Sequence, residues 1–282
     1  MSDRDFTPGN PGNADGDPEV FLFDTTTNTF TQITNTRVGS SFLSINAAGT
    51  RIAFSSTRDL TPGGPGNPDG SLELFFFDTT TSTFTQITNT TGEFTFAPSI
   101  NATGTRIALV STGNLTPGSP GNADGNQEIF LFDTTTGTFT QITNTAGGFI
   151  GNSSPSINAT GTRIAFVSPH DLVPGTPGNA DGNQEIFLFD TTTNTVNQIT
   201  NTIGGGNDSP SINATGTRIA FVSERDLTPG NPGNADGSRE IFLAISAAGP
   251  TPTIPTLAEW GMVLLGLLLA GGMATALRRR AG

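Results

Sequence analysis

Three oxygen-bearing side chains recur at one spacing in this chain: Asn122, Asp124 and Glu128, then Asn179, Asp181 and Glu185. Each set reads Asn-x-Asp-Gly-x-x-Glu. Alternating oxygen ligands with a glycine after the aspartate can wrap a hard cation, and calcium takes six to eight such ligands. The same residues can do plainer work. Asn and Asp-Gly build turns through side-chain-to-backbone bonds, and the Glu can begin a strand. The position that would carry a leading Asp holds Pro or Gly, which removes one charged ligand and favours the turn.

Other chemistry is sparse. The chain has no cysteine and one histidine. Thiol nucleophiles, disulfides and thiolate metal sites are therefore excluded. His170 lies in "VSPHDL", where an exposed loop residue is expected. A histidine base also needs an oriented nucleophile and carboxylate. No G-x-S-x-G elbow occurs. The formal net charge of −12 leaves no basic footprint for nucleic acid.

The loops that carry these residues belong to a repeat. The aspartate of the loop recurs as Asp15, Asp69, Asp124, Asp181 and Asp236, a period of about 55 residues. "RIA" places Arg51, Arg106, Arg163 and Arg218; "FDTTT" places Asp24, Asp78, Asp133 and Asp190; "QIT" closes each unit. Each unit reads as four short strands: "PSIN", "RIAFVS", "EIFLFD" and "FTQIT". Ile164, Ala165, Phe166 and Val167 are apolar on both faces, which fits strands covered on both sides. The fold class is all-β, a propeller of four-stranded antiparallel blades. About four to five blades are expected, forming an open or incomplete arc. The count is seventeen strands, from four first-and-second-strand hairpins, five third strands and four fourth strands. The Asp of "FDTTT" is read as a turn-former and the repeated Arg as a partner of nearby carbonyls or carboxylates.

"SINATGTRIAFVS", "EIFLFDTTT" and "QIT" resemble the TolB-type β-propeller repeat over residues 1–246, with Ala-Thr-Gly where that family has Pro-Asp-Gly. The resemblance implies the fold and a tendency to bind other molecules. The Asn-x-Asp-Gly loop partly resembles the calcium loops of integrin-type propellers. Long loops and variable inter-blade links fall on one face, where recognition is expected. Residues that break the repeat, such as Glu93, Asn152 and Asp208, are candidates for specific contacts.

Residues 247–253 form a linker, and residues 254–282 differ in kind. Trp260 through Leu277 is uncharged and reaches the short end of a membrane-spanning α-helix. Arg278, Arg279 and Arg280 mark its cytoplasmic end. Ile254, Pro255, Thr256 and Leu257, then Glu259 and Trp260, the apolar span and the Arg cluster closely resemble the IPTL-CTERM sorting signal, with Ala258 in place of Ser. That resemblance implies an exosortase-type membrane protease as partner and display at the cell envelope, anchored or surface-exposed. Met1 enters a repeat after its second strand, and residues 1–20 lack a basic start followed by an apolar run. Both features lead to the expectation of a longer reading frame with a signal peptide upstream.

The functional expectation is a surface-displayed, non-enzymatic propeller, without cofactor, that binds a protein, glycan or matrix component. A propeller hydrolase or lyase acting on extracellular polymer is the alternative. A calcium-stabilised spacer is a third.

Overall fold

The computed structural model describes residues 1–245, apart from residues 8, 10, 11, 38, 62, 65, 119, 120, 148–150, 176, 177, 229–232 and 235. The linker, the sorting signal and the expected membrane helix at 260–277 lie outside the described residues. The chain divides into two units, Met1–Ser246 and Ala247–Gly282. Among the described residues there is no helix, and seventeen strands match the expected count.

The first two strands, β1 (Phe21–Asp24) and β2 (Thr29–Gln32), form a hairpin. Three four-stranded antiparallel sheets follow. They are β3 (Ser40–Ile45), β4 (Arg51–Ser56), β5 (Glu73–Asp78) and β6 (Thr83–Gln86); β7 (Thr95–Ile100), β8 (Arg106–Ser111), β9 (Glu128–Asp133) and β10 (Thr138–Gln141); and β11 (Ser153–Ile157), β12 (Arg163–Ser168), β13 (Glu185–Asp190) and β14 (Thr195–Gln198). A three-stranded sheet ends the series: β15 (Asn207–Ile212), β16 (Arg218–Ser223) and β17 (Glu240–Ile245). Each sheet is a simple meander, as blades of a propeller are.

The apolar run of each second and third strand is explained by packing on two sides. Ala165, Val167, Ile186 and Leu188 face one neighbouring sheet and meet Ile219 and Phe221. Ile164, Phe166, Phe187 and Phe189 face the other and meet Ala108, Val110, Ile129 and Leu131. Fully burying one such side chain stabilises by about 1.5–3 kcal/mol.

Polar contacts fix the stacking. The Ala102 N–H donates to the Ala159 carbonyl at 3.2 Å, and the Ile157 N–H to the Ser99 hydroxyl at 3.1 Å. The Arg106 guanidinium donates across the seam to the Gly161 carbonyl at 3.0 Å, and Arg163 does the same to Gly216 at 3.0 Å. The repeated arginine is thus the structural partner of carbonyls that its spacing suggested. Gly161 has φ +72°, and a Cβ there would lie 2.7 Å from the Arg106 Cδ, so the close approach requires glycine.

Each first strand carries a bulge at one repeated position, occupied by Phe42, Ala97, Ser154 and Ser209, with φ between 49° and 52°. Three of the four are small. Phe42 is the exception, and a bulky residue in that conformation is uncommon.

Candidate binding site

The acidic loops resolve into separate local bonds. Glu128 is fully buried at the start of β9. Its carboxylate accepts the Thr145 N–H at 2.6 Å, the Thr145 hydroxyl at 2.7 Å and the Asn152 side-chain amide at 2.8 Å. Glu185 repeats this with the Thr202 N–H and hydroxyl, both at 2.6 Å, and with Asn207 at 2.9 Å. Asn122 donates to the Thr112 and Asn126 carbonyls, and Asn179 to the Asn183 carbonyl. Asp124 and Asp181 are exposed and accept the Gly147 and Gly204 N–H groups at 3.3 and 2.9 Å. The Asn122 and Asn179 Oδ1 atoms are buried without a hydrogen-bond donor. Among the described residues, no three His, Cys, Asp or Glu side chains converge as metal ligands.

Asn152, expected as a departure from the repeat, shares its offset with Asn207, and each serves a buried Glu. The threonines of "QITNT" are the residues that the sequence reading passed over; their recurrence with each strand-initial Glu was the available signal. Asp208 pairs with Arg239 at the surface. His170 is half-buried rather than exposed, and its Nε2 is enclosed without a partner. The "FDTTT" aspartates are turn-formers. Asp133 Oδ1 accepts the Thr135 and Thr136 N–H groups at 2.9 and 3.3 Å. The Thr135 hydroxyl, which also donates to that oxygen, is the main cause of a carboxyl pKa below the usual carboxylate range.

The residues that depart most from the repeat meet elsewhere. A cavity of about 670 Å³ lies between the second and third sheets. Phe42, Leu72, Phe94 and Phe96 form its apolar lining, and Asp124, Asn126 and Gln127 its polar side. The Phe42 and Phe96 rings lie 5.5 Å apart. Phe94 is 55% exposed and Phe42 48%, a large loss for apolar rings on a soluble surface. Counted from the Asn that ends each "SIN", the Phe94 position holds Gly39, Gly151 and Gly206 in other repeats. The Phe96 position holds Ser41, Ser153 and Asp208. The long loop contributes Asp124 through Gln127 and the inter-blade link contributes Gly147, so the cavity opens on the face where recognition was expected.

Charge also changes just after the second strand of each sheet. Arg58, His170 and Arg225 occupy equivalent positions in three repeats, and Gly113 stands there in the fourth. The space beside Gly113 is taken by Glu93, whose Oε2 would lie 2.5 Å from a Cβ on Gly113. Burial pushes the Glu93 carboxyl pKa up, and the nearby charge of Glu73 adds to this. The Asn114 N–H offsets part of the rise.

Comparison with solved structures identifies the architecture. TolB from Acinetobacter baumannii superposes with a TM-score of 0.54 at 18% identity, over 82% of this chain and 47% of that one. An oligogalacturonate lyase in complex with manganese superposes with a TM-score of 0.53 at 16% identity, over 83% and 58%. The fold is that of a TolB-like β-propeller. Residues 253–280 match the IPTL-CTERM motif. The chain thus joins a TolB-like propeller to a C-terminal sorting signal. It spans about half the length of the two solved chains. No curated protein matches it by sequence.

Proposed function

We propose that this protein is a cell-envelope propeller that binds a macromolecule rather than transforming one, sorted through its IPTL-CTERM tail by an exosortase-type protease. One observation carries the binding reading: the bulky residues that break the repeat gather in a single exposed cavity, with Phe42, Phe94 and Phe96 replacing Gly, Ala, Ser or Asp. Repeats that served only as a spacer would have no need of such a break. The cavity offers aromatic surface and one carboxylate, Asp124, with amides beside it. Aromatic anchors in a concave patch supply most of the energy at binding surfaces. Binding is favoured over lyase or hydrolase chemistry because the lining supplies contact area rather than an acid–base pair.

The tail supports display at the envelope. Its uncharged span would cross the membrane with Arg278, Arg279 and Arg280 in the cytoplasm, which leaves the propeller outside. Protease treatment of intact Gram-negative cells tests this, with the full chain and a version lacking residues 253–280 each expressed behind the same added N-terminal signal peptide. The full chain is expected to be envelope-associated and cleaved from outside, and the shortened chain to lose that association. Envelope association of the exported protein that is the same with and without residues 253–280 would overturn the assignment.

A further inference from the structure

We infer that copies of this chain associate head to tail, the outer face of the last sheet in one copy stacking on the face of the β1–β2 hairpin in another. The inference goes beyond the binding reading above and does not depend on what the cavity takes.

The last sheet, β15–β17, leaves uncovered a face that every earlier seam buries. Ala165, Val167, Ile186 and Leu188 are buried where they meet the next sheet. The same offsets in the last sheet hold Ala220, Val222, Ile241 and Leu243. Ile241 is 79% exposed and Leu243 56%, while Ala220 and Val222 are half-buried. Ile245 points to the same side of β17 as Ile241 and Leu243 and is also exposed. The other third strands, β1, β5, β9 and β13, end there in Asp.

The hairpin uncovers the complementary face. At an internal seam Leu227, Phe242 and Ala244 pack against the side that Ile186 and Leu188 present. The same offsets in the first repeat hold Phe6, Phe21 and Phe23. With Phe30 they form one aromatic cluster: ring centroids lie 5.3 Å apart for Phe6 and Phe21, and 4.6 Å apart for Phe6 and Phe30 and for Phe23 and Phe30. Phe6, Phe23 and Phe30 are each about two-fifths exposed. Phe6 stands where Leu60, Leu115, Leu172 and Leu227 stand in the other repeats.

The occupant follows from this match. An aliphatic face and an aromatic face meet at each internal seam, and each is left uncovered once. Both are uncovered in the same molecule, so neither covers the other, and a second copy supplies the missing half of both. The ends of a repeat stack that face only water carry polar caps. Here both ends depart from the repeat in the opposite sense, with Phe6 for Leu and Ile245 for Asp. Exposed apolar patches of this kind mark association sites. Contact between two unlike faces is heterologous, so it propagates into a ring or a chain of copies.

Sedimentation velocity of the full-length protein in detergent tests the inference, at concentrations up to about 100 μM. Wild type is expected to form species larger than a monomer that grow with concentration. Ile241→Lys blocks the last-sheet face and Phe23→Lys the hairpin face. Each alone is expected to weaken association roughly tenfold or more. Mixed in equal amounts, the two variants are expected to form a dimer and nothing larger, because each keeps the face that the other lacks. Thermal unfolding of both variants confirms that they are folded. The chain has no cysteine, so a variant carrying both Leu243→Cys and Phe23→Cys reports on oxidation which faces meet. Disulfides between copies are expected. A disulfide within one copy would mean that the two ends close on each other, and the head-to-tail contact would be wrong. A monomeric wild type would overturn it, as would association that only one of the two lysine variants abolishes. Association that neither variant weakens would belong to the C-terminal span and would overturn it too. None of these outcomes bears on the cavity, so the binding reading fails or stands separately.

Discussion

Glu128 grips Thr145 twice, by the backbone N–H at 2.6 Å and by the hydroxyl at 2.7 Å, and its second oxygen accepts the Asn152 amide at 2.8 Å. A buried carboxylate with three donors is stable only while all of them are present. Glu128→Ala strands these donors in a buried site and is expected to destabilise by roughly 2–4 kcal/mol. Thr145→Ala in the same background adds less than it does alone, because both changes break one network. Urea midpoints of the two single variants and the double variant measure this; additivity of the shifts would count against the network.

The same bonds set the expectation for calcium. The oxygens of Glu128 and Glu185 are occupied by Thr and Asn donors. Each loop then retains one exposed carboxylate, Asp124 or Asp181, and one buried amide oxygen, on Asn122 or Asn179. Tight calcium binding needs more charged ligands than these. Calorimetric titration is expected to give affinities of about a millimolar or weaker. Several equivalent micromolar sites would show that the loops rearrange around the ion.

Much of the fold was legible in the sequence because a repeated seam must solve the same problem each time. Arg106 and Arg163 reach the next turn's glycine carbonyl, so the Arg and Gly recur together. Asp133 and its threonines recur because one carboxylate oxygen closes the turn. The cavity was harder to read. Phe42 and Phe96 belong to different repeats and different offsets, and only the stacking of two sheets brings their rings together. Within a single strand, each reads as an ordinary core residue. Difference between repeats is not a sufficient signal: Asn152 shares its offset with Asn207, and both are buried as partners of a strand-initial Glu.

Two glycines with nearly the same backbone separate strain from crowding. Gly161 has φ +72° and Gly137 φ +69°. Nothing lies within 4 Å of a Cβ on Gly137, whereas one on Gly161 would meet Arg106 and Asn101. Gly137→Ala is expected to cost about 1 kcal/mol from conformation alone. Gly161→Ala adds displacement of the Arg106 side chain and is expected to cost roughly 2–4 kcal/mol. Equal losses in thermal stability would mean that the arginine contact across the seam is loose.

Glu93 gives the fold a pH dependence of definite sign. Its folded-state pKa is raised, by burial first and then by the Glu73 charge. A carboxyl raised in this way favours the folded state below its unfolded pKa, near 4.3, and that contribution is lost as pH rises through the folded value. At neutral pH the ionised group is therefore a liability. Glu93→Gln keeps an oxygen for the Asn114 N–H and removes the charge. It is expected to raise the melting temperature at pH 7 and to make little difference near pH 4, where wild-type Glu93 is protonated. A variant less stable than wild type at pH 7 would show that the carboxylate is already compensated within the fold.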